Sequence, residues 1–161
     1  MSNTEKLQQI YLAALENYKT EIDSDGDIRF SHPDLGRLYI SLDADRDPEY
    51  FRMVFPNFAD SNALGGFERT EMIAFANEVN SRNKVVKVTI NYLNHDNTWN
   101  ATVQVEAFMA AADTAPDAAL VKATLGRYIS AIKAGVSSFV QAMKESKAAK
   151  SSDGSDDLNS I

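Results

Sequence analysis

The two-residue alternation of polar and apolar residues between residues 98 and 109 is the feature that most constrains the fold. Successive side chains of a β-strand point to opposite faces, so this alternation predicts a strand with one buried and one solvated face. The preceding segment "KVVKVTINYL" reads as a second strand, and the turn formers from Asn94 to Asn97 predict a hairpin between them. The face predicted to be buried carries Trp99, Ala101, Val103, Val105, Ala107 and Met109, and the solvated face carries Thr98, Asn100, Thr102, Gln104 and Glu106.

Three other segments repeat their apolar residues at helical spacing. The first helix begins at a capping box formed by Ser2 and Glu5, the second covers residues 67–81, and the third begins near Pro116. The third is long enough to cover a sheet. The apolar positions are Leu7, Ile10, Tyr11, Ala14, Leu15 and Tyr18 in the first helix, Met72, Phe75, Ala76 and Val79 in the second, and Val121, Leu125, Tyr128, Ile129, Ile132, Val136, Phe139, Val140 and Met143 in the third.

Three short segments between the first two helices predict a meander of strands. They are "DIRF", "RLYISLD" and "EYFRMVF", and turn formers separate them. The predicted class is α+β in the order α-β-β-β-α-β-β-α, with an antiparallel sheet of about five strands covered by helices. Residues 1–147 are predicted to form a single domain, and residues 148–161, which are polar and aperiodic, a disordered tail.

Composition and charge narrow the classes of partner. The formal charge of −7 disfavours nucleic acid and anionic membranes as partners, because both need clustered lysine and arginine. No apolar run approaches the roughly 20 residues of a membrane span. The chain has no cysteine, which suits a reducing compartment, and we expect a cytoplasmic protein.

The acidic stretch "EIDSDGDIRFSHPD" begins as a calcium-binding EF-hand loop would, with aspartates at alternate positions of residues 23–27. The sixth position of such a loop needs glycine but is Ile28 here, and the twelfth needs glutamate but is Asp34. We therefore predict a tight turn at Asp25 and Gly26 with solvated aspartates on either side.

A second acidic triplet, Asp43, Asp45 and Asp47, lies in another predicted loop. Carboxylates on exposed loops lack the rigid, water-excluding surroundings that tune an acid or a base. The solvated loop is the favoured interpretation. The alternative function that this leaves open is a small-molecule or divalent-cation sensor that uses residues 23–27 and 43–49.

No pattern for catalysis or for a cofactor is complete. His32 and His95 both lie in predicted turns, and the segment "ALGGFE" lacks the lysine of a phosphate-binding loop. Trp99, at the start of an apolar face, is expected in the core. We predict no catalytic residue, no cofactor, no metal and therefore no enzyme.

Three runs resemble the YbjN-type domain, which is described as a putative bacterial sensory transduction regulator. They are "EIDSDGDIRF", "FANEVNSRNKVVKVTINY" and "AADTAPDAALVKATLGRYISAI", and the resemblance spans about residues 4–143. That domain is similar in fold to the dimeric chaperones of type III secretion. The resemblance implies a homodimeric module that binds a segment of another protein without turnover.

The surplus of apolar residues in the second helix predicts an interface. Phe67, Met72, Ile73 and Phe75 provide more apolar surface than one core-facing stripe requires. We predict a symmetric dimer through the sheet or through this helix. The competing interpretation is that Phe67 and Ile73 pack on the loop "NFADSNALGG" of their own chain.

Overall fold

The computed structural model describes residues 2–153, which form one antiparallel sheet and three α-helices. The α+β class and the antiparallel sheet are confirmed, but the sheet has six strands rather than about five, in the order β1-β2-β3-β4-β6-β5. The elements are α1 (Asn3–Ala14), β1 (Lys19–Ile22), β2 (Ile28–His32), β3 (Gly36–Ser41), β4 (Tyr50–Asp60), α2 (Arg69–Arg82), β5 (Val86–Leu93), β6 (Thr98–Phe108) and α3 (Ala118–Asp153), with a short 3-10 turn at Ala63–Gly65.

The first helix is shorter than its periodicity predicts, and the strand β1 follows it. The capping box of Ser2 and Glu5 is confirmed, but α1 ends at Ala14. The ring of Tyr18, predicted on the helix, packs on Phe30 at 5.5 Å between centroids. β1 is only four residues long and has no buried residue, so hydrophobic alternation could not reveal it.

The strand β4 continues beyond its predicted end. Residues 56–60, predicted as a loop, belong to the strand after an irregularity between Phe55 and Ala59, where Asn57 has a positive φ of 48°. β4 pairs with β3 only as far as Val54, so Pro56 breaks no bond to that neighbour. The irregularity brings Phe58 against Phe139 of α3, with ring centroids 5.3 Å apart.

The asparagine-rich end of α2 fixes the edge of the sheet. The Asn80 side chain accepts the Val88 N–H at 2.7 Å and donates to the Val88 carbonyl oxygen at 3.1 Å, so it replaces a neighbouring strand at that point of β5. Asn83 donates to the carbonyl oxygen of Val79 at 3.0 Å and closes the helix.

The helix α3 begins after Pro116 and extends past its predicted end. The carboxylate of Asp117 accepts the Leu120 N–H at 2.9 Å and so caps the first turn. Residues 148–153, predicted as disordered, are helical, and Lys150 forms an ion pair with Glu71 at 2.6 Å. The rest of the predicted tail, residues 154–161, lies outside the described residues.

All three helices pack on one face of the sheet. Their apolar stripes share a single buried cluster with the inward side chains of β2 to β6, for example Leu7 of α1, Val79 of α2 and Phe139 of α3. The predicted stripe of α2, with Met72, Phe75, Ala76 and Val79, is buried as expected. Within residues 2–153, no helix combines the length and the apolar character that a membrane span requires.

Candidate interaction surface

The face of the sheet that points away from the helices is the candidate functional surface, and we call it the open face. Strand register places every second side chain on it, and the apolar stripes of the three helices pack on the opposite face. Its charged and aromatic members are Lys19, Glu21, Arg29, Arg37, Tyr39, Tyr50, Arg52, Asp60, Lys87, Glu106 and Phe108. One row across all six strands runs Glu21, Arg29, Tyr39, Val54, Gln104 and Lys87.

Part of the face predicted to be solvated is not exposed. Thr98, Asn100 and Thr102 point to the open face, as the alternation predicts, yet each is at least nine-tenths buried. The Asn100 amide donates to the Thr98 hydroxyl at 2.7 Å, and the Thr102 hydroxyl accepts the N–H of Asn57 at 3.2 Å. The three side chains are short and lie on β6, the strand between β4 and β5. The prediction of a solvated face is therefore wrong for the first half of β6, residues 98–102.

The open face carries more positive than negative charge. Its five basic residues and three acidic ones leave an excess of two positive charges, whereas the whole chain has a formal charge of −7. Acidic residues are therefore concentrated elsewhere on the molecule. An uneven distribution of this kind selects partners by the sign of their charge.

Glu106 binds several neighbouring side chains on the open face. Its carboxylate accepts the Gln104 amide at 2.6 Å and forms an ion pair with Lys87 at 3.5 Å. Burial, and the hydrogen bond that Glu106 receives, raise the pKa of the Tyr50 hydroxyl. Opposite Glu106, Arg52 donates to Ser41 at 3.2 Å, while its buried Nε–H has no hydrogen-bond partner in the described chain.

A shallow depression lies at the β1–β3 end of the open face, and we call it the basic pocket. Lys19, Arg29 and Arg37 line it around Ser31, and Glu21 is its one acidic lining residue. Its volume is about 80 Å³. Ligand pockets for small molecules are several times larger, so this one holds a single chemical group.

Two aromatic residues mark the other end of the open face. Tyr50 and Phe108 are directly opposite each other on β4 and β6, with ring centroids 5.7 Å apart. Phe108 is 73% exposed. The sequence contains one indication of this exposure. The even-numbered positions of the alternation are polar from residue 98 to residue 106, and Phe108 is an apolar residue at the next such position.

The residues predicted to form an interface on α2 lie mostly in the core. Phe67, Met72 and Phe75 are buried within the chain itself, and Ile73 is half-buried. The Phe67 ring packs on Phe75 at 5.3 Å, and its N–H donates to the Ser61 carbonyl oxygen at 2.6 Å. Phe67 therefore packs within its own subunit, and Phe67, Met72 and Phe75 offer almost no surface to a partner.

The first acidic loop is a tight hairpin turn, as predicted, with Gly26 at a positive φ of 87°. The carboxylates of Asp23 and Asp27 accept hydrogen bonds rather than being solvated, whereas Asp25 is exposed. Asp23 accepts the N–H groups of Asp25 and Asp27 and binds Arg29 at 3.0 Å. Desolvation alone would raise the pKa of Asp23, but these donors outweigh it and lower the pKa.

The second acidic loop lies beside the first. Asp27 accepts the Leu42 N–H at 2.8 Å and so connects the two loops. Asp113, remote in sequence, donates its N–H to Glu49 at 3.2 Å. Desolvation, with the negative charges of Glu49 and Asp43, raises the pKa of Asp47.

The described residues contain no cluster of three or more histidine, cysteine, aspartate or glutamate side chains arranged for a metal ion. His32 stacks on Tyr18 and accepts the Asp34 N–H, and His95 pairs with Asp96 at 3.1 Å. Trp99 is half-buried at the edge of the core. The Tyr92 ring lies 4.9 Å from it, and the Arg69 guanidinium lies 5.0 Å from its ring centre.

Tyr11 is the one buried hydroxyl without a hydrogen-bond partner in residues 2–153. Burial, with a smaller contribution from Tyr128, raises its pKa well above the usual range of tyrosine. Its ring stacks on Phe51 at 5.6 Å in the core. A phenol that stays protonated inside the core has no access to a substrate.

Comparison with known proteins adds no relative, because no protein-family model, no curated protein and no solved structure matches this chain. The resemblance to the YbjN-type domain stays a prediction from the sequence.

Proposed function

We propose that the protein is a non-catalytic interaction module that binds a segment of another protein across the open face of its sheet. The observation that carries this proposal is the one-sided packing of α1, α2 and α3, so that within residues 2–153 no helix packs on the other face of the six-stranded sheet. The resemblance to YbjN-type domains and to secretion chaperones supports a regulatory or chaperone-like role in the bacterial cytoplasm.

The form of the open face suits an extended partner segment. Its side chains are arranged in rows across the strands, and it mixes aromatic groups such as Tyr39 with hydrogen-bonded polar ones such as Gln104. Interfaces combine such aromatic anchors with a polar rim. The basic pocket on this face is too small to enclose a metabolite, so its shape favours a chain lying on the surface.

Affinity capture with two matched variants tests this proposal. Tyr39→Glu adds a negative charge to the middle of the open face, and Ala123→Glu adds the same charge to the exposed side of α3. From an extract of its native cells, we expect wild type and Ala123→Glu to retain the same partner and Tyr39→Glu to lose it. Equal retention by both variants contradicts the proposal.

The protein is also proposed to form a symmetric homodimer, through the end of the open face that Tyr50 and Phe108 form. Phe108 is the most exposed of the large apolar residues in the described chain. When a two-fold axis passes through an exposed aromatic patch, the patch contacts the same patch of the second subunit. This contact buries the aromatic rings of both subunits. The burial of Phe67, Met72 and Phe75 disfavours α2 as the contact surface.

The homodimer is expected to dissociate when Phe108 becomes aspartate, because a charge is then placed in the buried contact. Sedimentation equilibrium at micromolar concentration should show twice 17.8 kDa for wild type and 17.8 kDa for Phe108→Asp. Leu120→Asp is the control, since Leu120 is 44% exposed in the first turn of α3. A wild-type species of 17.8 kDa alone would refute the dimer.

A divalent-cation sensor remains the alternative, because the structure brings the two acidic loops together at one end of the sheet. The oxygens of Asp23 are already bound to backbone N–H groups and to Arg29, so the first loop offers few free ligands. Calorimetric titration with calcium is expected to show no binding tighter than millimolar. A micromolar site that Asp25→Ala abolishes would favour the sensor.

A further inference from the structure

We propose that the basic pocket binds a carboxylate group on an acidic segment of the partner protein. This inference rests on the proposed function, since it names the chemistry of the segment that the open face takes. The pocket lies at the β1–β3 end of that face, away from Tyr50 and Phe108. A homodimer formed through those two aromatic residues therefore leaves the pocket accessible.

Strand register brings the basic groups of the pocket together. Lys19, Ser31 and Arg37 are direct partners across β1, β2 and β3, and directly opposed residues have Cβ atoms about 4.5–5.5 Å apart. Arg29 lies two residues before Ser31 on the same face of β2. Two arginines, a lysine and a hydroxyl thus surround a space that fits one anionic group.

Two of the three cations of the pocket have no anionic partner in residues 2–153. Arg29 is bound to Asp23 at 3.0 Å, but within residues 2–153 the side chains of Lys19 and Arg37 form no ion pair and no hydrogen bond. The chain has 23 acidic residues, and it pairs other lysines with them, among them Lys122 with Glu16 and Lys133 with Asp34. Glu21 is the one acidic residue that lines the pocket, and it forms no ion pair within the described residues.

The surroundings of the pocket favour a peptide carboxylate over a free anion. The cations are long side chains on an exposed sheet, with Arg29 53% exposed, and no helix N-terminus supplies N–H groups to the lining. Such sites recognise solvated carboxylates that a longer chain holds in place by further contacts. Tyr39, which is partly exposed in the row next to the pocket, provides such a contact.

The test is fluorescence anisotropy with a labelled short peptide of alternating glutamate and serine. Wild type is expected to bind it saturably at low salt, and Lys19→Glu and Arg37→Glu are each expected to weaken binding by about tenfold or more. Lys144→Glu makes the same charge change on the exposed side of α3 and is expected to change affinity by less than about twofold. A peptide of alternating glutamine and serine should not bind.

Three results would overturn the proposal. The first is absence of binding by wild type. The second is a loss of peptide affinity with Lys144→Glu that equals the loss with the pocket variants. Such a result would show that the net charge of the molecule, and not the pocket, determines binding. The third is displacement of the peptide by inorganic phosphate far beyond that by sodium chloride of equal ionic strength, which would make this a site for free phosphate.

Affinity capture separates this inference from the function on which it rests. If Tyr39→Glu loses the cellular partner while Arg37→Glu and Lys19→Glu keep it, the open face binds a protein but the pocket takes no carboxylate. If neither the open-face variants nor the pocket variants lose the partner, the proposed function itself is wrong. Loss in all three variants supports both.

Discussion

Replacement of Phe139 by alanine is expected to lower the free energy of unfolding by about 3–5 kcal/mol, the usual cost of removing a buried aromatic ring. Phe139 is fully buried where α3 meets two other elements. Its ring contacts Phe58 of β4 at 5.3 Å and Phe75 of α2 at 5.9 Å, both edge to face. The cavity would therefore separate three elements at once.

Phe108→Ala is the matched control, because it removes the same ring from the open face. Phe108 is 73% exposed, so the monomer should lose no more than about 0.5 kcal/mol. Urea denaturation of both variants, at concentrations below dimer formation, measures the difference. Equal losses would contradict a fold with one helix-covered face and one uncovered face.

Replacement of Asn80 by alanine is expected to lower the free energy of unfolding by about 1–2 kcal/mol, because two hydrogen bonds to the Val88 backbone are lost together. Those bonds occupy the outer edge of β5 where no strand follows. Their loss exposes an unpaired strand edge, so we also expect Asn80→Ala to aggregate more readily on heating.

Asn77→Ala is the control for that variant. Asn77 is exposed on the same helix, one turn earlier, and binds no strand. The same substitution there should leave stability nearly unchanged, since alanine is the better helix former. Similar unfolding free energies for Asn77→Ala and Asn80→Ala would show that the side chain of Asn80 does not hold β5.

Periodicity predicted the parts of the fold in which burial repeats along the chain. The alternation on β6, the hairpin with β5 and the stripe of Met72, Phe75, Ala76 and Val79 all reappear in the structure. Each depends on neighbours in sequence or on one face of one element. For Thr102, which is buried and accepts the N–H of Asn57 from a distant segment, the same reasoning was wrong.

Local breaks in regularity account for the remaining differences in the fold. β1 has four residues and no buried position, and β4 continues through an irregularity around Asn57. Neither segment contains an alternation of apolar and polar residues that is long enough to predict the strand from the sequence. Residues 148–153 continue α3. Lys150 stabilises this extension through an ion pair with Glu71 and a contact with the ring of Phe67, which are about eighty residues earlier in the chain.

The candidate surface could be predicted only in part, because it depends on which strands are neighbours. The basic pocket combines Lys19 from an undetected strand with Arg37 two strands away. Most of the apolar residues that predicted an interface on α2 are instead buried within the subunit, where the Phe67 ring packs on Phe75 and Lys150. Phe108 is the one exposed aromatic residue of this surface whose exposure the sequence pattern indicated.

A partner that binds the open face should be captured there by site-specific photocrosslinking in native cells. One protein carries benzoylphenylalanine at Tyr39, on the open face, and another carries it at Ala123, on the exposed side of α3. We expect a discrete adduct with one partner protein from position 39 and none from position 123. An adduct from position 123, with none from position 39, would contradict binding at the open face.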